Sequence, residues 1–383
     1  PGGSTFKFNG GTLQPSANNV AFFQGMTSAI VQSGGALVNT AGNNVTAAQS
    51  FLHDPALGTT ADGGLLKRGL GTLTLSGAST YSGGTTVTSG TLVTTASGTV
   101  GPGPLAVNAV NGVSSSATLG SSQSVSGLSS AVAGTGAATL NIAAGTTLTV
   151  NQSGNTTFAG AIINSGTLAK SGGGTLEIDA APTLAANSAV QANGGTLRLK
   201  VVSGSPTVGS DVTASVAAGA TLELAGSVSA LAAAANRVNI MNNSQASAGG
   251  LLASGSNQQV GAIDGTGNTV VASDASLTSN HIIQNALAIG GSSGHAAVMT
   301  IAASDSSGNS RVETLRANPS CVDSAVMNEW PTASSPDSPD VIRPATKALT
   351  KTSESNFAVP EPSSAILMCC GLAIFALIAV RRC

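Results

Sequence analysis

Charge is scarce in this 383-residue chain. Lys, Arg, Asp and Glu together make up 8% of it, against roughly a quarter in an ordinary globular domain. Net charge is −2, and no cluster of basic side chains follows any element. That excludes nucleic-acid binding, which needs grouped cations to neutralise phosphates. Aromatics are only 3%. Cysteine is missing before Cys321, so no disulfide staples the bulk of the chain, and a thiol-free stretch suits export. His53, His281 and His295 stand far apart, without an HExxH pattern or closely spaced Cys/His, which argues against a metal site. No Walker-type loop occurs either, so no cofactor and no catalytic residue are expected. The chain starts at Pro1 without an apolar signal run; an export signal is expected to lie outside it.

What is present in abundance is glycine, 49 residues, interleaved with Ala, Ser, Thr, Asn and Val. The most regular stretch is 63–92, GGLLKRGLGTLTLSGASTYSGGTTVTSGTL. Its TLTL core alternates apolar and hydroxyl residues with period two, as a strand with one buried face does. Ser-Gly pairs then break the run where a turn needs a residue without a Cβ. The Thr-Leu-x-aliphatic phrase returns at 139–142, 147–150, 175–178, 196–199 and 221–224. Intervals of 21 residues from Leu176 to Leu197 and 25 from Leu197 to Leu222 point to a solenoid whose coils bury their apolar faces only by stacking. The expected fold is all-β: a right-handed parallel β-helix over residues 1–310, on the order of 60–75 Å long at about 4.8 Å per coil.

That stacking makes a finer demand. In register, Glu177 would meet Arg198 and Asp179 would meet Lys200, each opposite-sign pair contributing roughly 0.2–1 kcal/mol. Glu177 and Asp179 also admit a sharper reading, a carboxylate pair acting on polysaccharide; paired surface charges outnumber catalytic ones, so a structural role is expected. Phe22, Phe23 and Phe51 are expected to fill or cap one end of the stack, with a sugar platform as the alternative. The run 231–235 suggests a helical turn or cap, and 264–268 (DGTGN) a turn rather than a calcium corner.

Stretch 63–92 resembles the autotransporter-associated β-strand repeat. Gly71, Thr72, Leu73, Leu75, Gly77, Tyr81, Gly83, Thr85, Val87, Gly90 and Leu92 carry the match, together with Gly64, Leu65, Lys67, Gly69 and Ser76. The resemblance implies an exported, elongated β-solenoid and no catalytic activity.

Beyond residue 310 the pattern changes. Residues 311–358 hold five prolines, at 319, 331, 336, 339 and 344, which cannot continue a ladder; a disordered linker is expected. Then Val359-Pro360-Glu361-Pro362 leads into sixteen uncharged residues, 365–380, and Arg381-Arg382-Cys383. As a helix the apolar run spans about 24 Å, short of a roughly 30 Å bilayer core, a gap that snorkelling arginines can close. A single transmembrane helix is expected, its arginines cytoplasmic and the solenoid outside the inner membrane. The tail, 359–383, is similar to a PEP-CTERM sorting signal through Pro360, Glu361, Pro362, Arg381 and Arg382. That resemblance implies an exosortase-type sorting enzyme as partner and delivery to the cell surface or an extracellular matrix, where polysaccharide is the candidate ligand. A passenger with its own outer-membrane barrel is disfavoured, since the last seventy residues cannot supply one.

Overall fold

The computed structural model describes residues 3–110, 112–246, 249–290, 297–304, 310–317 and 325–328. These form an all-β parallel solenoid of about 13 turns. Each coil presents up to three strands, and each strand pairs in parallel with its counterpart one coil earlier and one coil later. The first face runs from Thr12–Leu13 through Leu65–Arg68 and Thr85–Val87 to Leu128–Ser129, and resumes from Thr156–Phe158 to Ala286–Ile289. The second face stacks nine strands from Asn19–Phe23 to Thr207–Val208. The third begins at Thr5–Phe8 and, after a gap, stacks eight strands from Gln123–Val125 to His281–Ile282. At about 4.8 Å per coil, 13 turns give a rod about 60 Å long.

The period-two pattern explains the burial. In Thr72–Leu75, Leu73 and Leu75 are buried while the threonines are half-buried on the outer surface. Leu176, Leu197 and Leu222 stack directly on one another, as their spacing requires. Coil length, by contrast, varies. The first face advances 20 residues from Thr156 to Leu176, 21 to Leu197, 25 to Leu222 and 29 to Leu251, then 18 to Thr269. The corners absorb the difference, because lengthening a surface connection costs little beyond closure entropy. The recurring Thr-Leu phrase consequently marks a strand, not a particular face: TLTL and TLNI lie on the second face, TLTV on the third, and TLEI, TLRL and TLEL on the first.

Several expectations are settled by these contacts. Phe8, Phe23 and Phe51 pack ring to ring, with centroids 5.0–5.4 Å apart. Phe23 and Phe51 are buried, and Phe22 packs partly against them, so these rings fill the core rather than form a sugar platform. The alanine run 231–235 makes no helical turn. It belongs to a loop closed by an antiparallel bridge between Ala232 and Arg237, with Ala230 and Leu231 fully buried, so burial of small side chains outweighs helix propensity. Asp264-Gly265 is a corner between Ala262–Asp264 and Asn268–Val271. Past residue 303 the ladder changes sense: Ser310–Ala317 pairs antiparallel with Ala297–Ser304, and Ala325–Asn328 antiparallel with Ala286–Ile289. Two strand segments thus fall within 311–358; the rest of that stretch and the whole 359–383 tail lie outside the described residues, as does His295.

Corners carry a second, polar core. Lys67 is fully buried, and its Nζ donates to Gly69 O at 2.6 Å, Ser89 O at 2.9 Å and Arg68 O at 3.3 Å. Lys170 does the same for Ser171 O, Gly172 O and Gly194 O, at 2.6, 2.8 and 3.2 Å. Burial pulls both ammonium groups down, Lys67 to about 8, and a ring of carbonyl acceptors opposes that pull. Because each lysine bonds carbonyls of its own corner and of the next coil's, it joins successive coils. Lys67→Met is expected to cost about 1–3 kcal/mol through carbonyls left without a donor; chemical denaturation measures it, and an unchanged midpoint would refute the role.

Candidate functional site

Two neighbourhoods bring chemistry-bearing side chains together. One surrounds the glycine-rich repeat. Gly64, Ser82 and Gly83 turn their backbone N–H groups onto the buried carboxylate of Asp62, at 2.8–2.9 Å. His53, at the end of the strand that enters this same corner, places Nδ1 2.8 Å from Asp62 Oδ2 and 3.0 Å from Ser82 Oγ of the next coil, while Nε2 lies 3.1 Å from Gly58 O. Sequence alone marked His53 as isolated; its own corner folds back to give it an acid, and stacking adds a serine. The three do not form a nucleophilic triad, which needs the serine on one ring nitrogen and the carboxylate on the other. Here both crowd Nδ1, and Nε2 faces a carbonyl. The arrangement is a clasp that pins the 54–64 corner, with its 3-10 turn Pro55–Leu57, against the following coil.

Electrostatics agree with a clasp. Burial pushes the Asp62 carboxyl up, but the Ser82 amide, His53 and the Gly83 and Gly64 amides outweigh it and hold the group below the usual carboxylate range. The hydrogen bond to Asp62, then that to Gly58 O, raises His53 above 6.5. Asp54 adds a smaller attraction.

The repeat residues divide between core and corner. Leu73, Leu75, Tyr81, Val87 and Leu92 are buried. The Tyr81 hydroxyl lies 2.6 Å from Thr85 Oγ1, and burial raises it to about 12. Gly90 has φ +66°, and a methyl group there would lie 2.5 Å from Gly69 O and Gly71 O and 3.0 Å from Lys67 Nζ, so only glycine closes this corner. Gly83 similarly packs against the Asp62 carbonyl, and Gly77 against the Ser50 backbone. Gly71, with φ +97°, turns the chain into Thr72.

The other neighbourhood is the ionic ladder of the first face. Glu177, Arg198 and Glu223 occupy successive rungs. Arg198 Nη1 lies 3.3 Å from Glu177 Oε2, and its Nε lies 3.4 Å from Glu223 Oε1, in ion-pair range though off hydrogen-bond alignment. The expected Asp179–Lys200 pair is replaced: Lys200 Nζ turns to Glu177 Oε1 at 3.3 Å. Lys200 follows the strand end, where its long stem reaches the inner carboxylate. Burial and then the Glu177 charge push Asp179 up, while Lys200 and Arg198 pull it back. Beside this ladder opens a hollow of about 280 Å³ lined by Asn155, Thr156, Thr157, Thr175, Glu177 and Arg198. A further surface pair, His281 Nε2 with Asp264 Oδ1 at 2.9 Å, is largely exposed. Among the described residues no group of three or more His, Cys, Asp or Glu could hold a metal ion, and no helix is long and apolar enough to cross a membrane.

Residues 65–93 match the family model described as the passenger-associated-transport-repeat. That is the stretch whose phrase resembles the autotransporter-associated β-strand repeat, and its strands stack in a parallel solenoid as that repeat implies. No curated protein and no solved structure matches the chain.

Two outcomes test these sites. Arg198→Glu places like charges on three consecutive rungs and is expected to lower stability by roughly 0.5–2 kcal/mol. Adding Glu177→Lys restores only part, because Glu223 still opposes the new glutamate; purely additive losses in denaturation would refute the register. For His53, folding raises the affinity for the proton, so its stabilising share is complete below about pH 6.5 and disappears as pH climbs through the folded value. Hydrogen-exchange protection of the Gly64 and Gly83 amides, corrected for intrinsic rates, is therefore expected to fall as pH rises above about 6.5. His53→Gln should flatten that profile, and a flat profile in the unaltered protein would refute the clasp.

Proposed function

We propose that this parallel solenoid, built around a passenger-associated transport repeat, is an exported, non-catalytic structural and adhesive protein of the cell surface or extracellular matrix. One observation carries the reading: the stacked coils present long, flat columns of small hydroxyl side chains. On the second face Thr72, Thr91, Ser116 and Thr139 form one such column, and beside it runs a mixed one of Thr74, Val93, Thr118 and Asn141. Asn141 Nδ2 links the columns, bonding Thr118 Oγ1 at 3.1 Å and Ser116 Oγ at 3.3 Å. Similar contacts repeated at a fixed pitch suit a ligand that is itself a repeating polymer, where weak individual contacts add by multivalency.

In this reading the 359–383 tail sorts the protein. Pro360-Glu361-Pro362 is the recognition motif for an exosortase-type enzyme, the apolar run holds the chain in the inner membrane, and Arg381-Arg382 stay cytoplasmic. Processing then passes the rod to the surface. A second reading, a polysaccharide-acting enzyme, draws on Asp179, whose carboxyl is pushed up beside Glu177. Against it, Glu177 is paired with Arg198 and Lys200 at 3.3 Å, the arrangement of a structural charge ladder rather than of an acid/base pair.

Mass spectrometry of the native C-terminus, with cell fractionation, tests sorting: a shortened terminus in the surface or matrix fraction is expected. An intact tail in a cytosolic pool would overturn it. Sugar release from a polysaccharide panel that disappears with Glu177→Ala or Asp179→Ala would establish the enzyme instead.

A further inference from the structure

The first face is interrupted once along its length. Between Leu128–Ser129 and Thr156–Phe158 the ladder is reduced to an isolated bridge, Ser130 to Phe158, helped by Thr156 Oγ1 on Leu128 O at 2.6 Å and Gly160 N on Ser130 Oγ at 2.8 Å. On the three rungs that follow, Thr157, Glu177 and Arg198 lie in register, and there the 280 Å³ hollow opens. Its lining residues are all polar or charged and chemically mixed. Arg198 offers guanidinium donors beyond the Nη1 and Nε that face carboxylates. Asn155 Oδ1 accepts from Thr175 N at 2.9 Å, which leaves its Nδ2 donors to a ligand. Glu177 supplies acceptor oxygens, and Thr157 and Thr175 supply hydroxyls that serve either way.

The same cluster is also where polar satisfaction is poorest. Among the described residues five buried side-chain polar atoms lack a hydrogen-bond partner, and two of them, Asp179 Oδ1 and Arg198 Nε, belong to this ladder. Arg198 Nε faces Glu223 Oε1 at 3.4 Å and Asp179 lies outside the hollow's lining, so recognition falls to the lining side chains themselves. The charges sort the ligand. An anionic sugar would meet Glu177, Glu223 and Asp179, and a cationic one Arg198 and Lys200. A neutral sugar meets neither penalty, and its adjacent hydroxyls each donate and accept. The volume lies just below the range of about 300–1,000 Å³ typical of drug-sized pockets, room for one or two sugar rings.

We propose that this hollow is a binding subsite for one or two residues of a neutral polysaccharide, recognised by Arg198, Glu177, Asn155 and the Thr157 and Thr175 hydroxyls. The inference rests on the adhesive reading and gives it an address. A single hollow of this kind binds weakly, and a long polymer gains avidity from many rods presented side by side on a surface.

The test uses the full chain in pull-down against insoluble cellulose, chitin and a β-1,3-glucan, with alginate as the acidic comparison. Thr157→Trp fills the hollow from an exposed outer position, Thr213→Trp adds the same bulk at an exposed position of the third face, away from the hollow and the hydroxyl columns, and circular dichroism checks that both retain the β-solenoid. Capture on at least one neutral polymer is expected, weakened about tenfold or more by Thr157→Trp, the loss of one or two hydrogen bonds, and unaffected by Thr213→Trp. Capture untouched by Thr157→Trp, or lost equally in both variants, would overturn the subsite while leaving the adhesive reading in place. Preference for alginate would overturn the neutral class. Absence of capture on every polymer would overturn the subsite and the polysaccharide-adhesive reading together, and the tail-processing measurement would then stand alone for the surface location.

Discussion

Every feature of this rod follows from one constraint: each coil must lie flat on the last at the spacing of a parallel β-ladder, about 4.8 Å. Side chains in a column then touch their own counterparts, so an inward column must be apolar and closely matched in size. Leu176, Leu197 and Leu222 satisfy this. Corners are harder to stack than strands, because a bend rotates carbonyls out of the ladder while the neighbouring corner still presses on them. A buried carbonyl without a donor costs about as much as a buried strand hydrogen bond contributes. The chain answers with polar side chains turned inward at the bends. Lys67 and Lys170 do this with ammonium groups, Gln152 bonds Gly154 O and Thr175 O, Asn164 bonds Ala189 O, and Gln258 bonds Gly226 O and Ser256 O.

The scarcity of charge has the same origin. On an outer column like charges would face each other every coil, with nothing between them, and the repulsion would accumulate along the rod. Small hydroxyl side chains avoid this and tolerate any neighbour. Where charges are used they alternate, as Glu177, Arg198 and Glu223 do. The buried lysines are the exception, and they are affordable only because three carbonyls surround each one. In a quasi-one-dimensional fold the interface between adjacent coils is the unit of stability, so a staple that spans two coils acts where it counts.

Much of this was legible in the residues. Alternation in TLTL, TLEI, TLRL and TLEL identified strands, their spacing placed Leu197 on Leu176, and the same offset put Glu177 beside Arg198. What failed to show was the conformation of side chains past strand ends. Lys200 reaches Glu177 rather than Asp179 because strand register fixes Cα partners, not the tips of flexible side chains. The His53 clasp was hidden for another reason: its partners Asp62 and Ser82 are joined by coil stacking across corners of unequal length, which no fixed period describes. The stapling residues did leave a trace, a polar residue two positions before glycine in Lys67-Arg68-Gly69, Gln152-Ser153-Gly154, Asn164-Ser165-Gly166 and Lys170-Ser171-Gly172. Its meaning becomes readable only once a bend is known to need a donor.

The same constraint that builds the rod also limits what it can do. A regular ladder presents a shallow, repetitive surface, and a repetitive surface favours extended ligands over small compact ones. Chemistry that discriminates needs a departure from the lattice, where a side chain can reach over a neighbour and leave space beside it. The described coils make that departure on the first face just beyond its interrupted rung, where Arg198 and Glu177 border the hollow. Length and flatness suit a rod to holding many contacts at once, and on the proposed reading the break in its regularity is where a partner would be chosen.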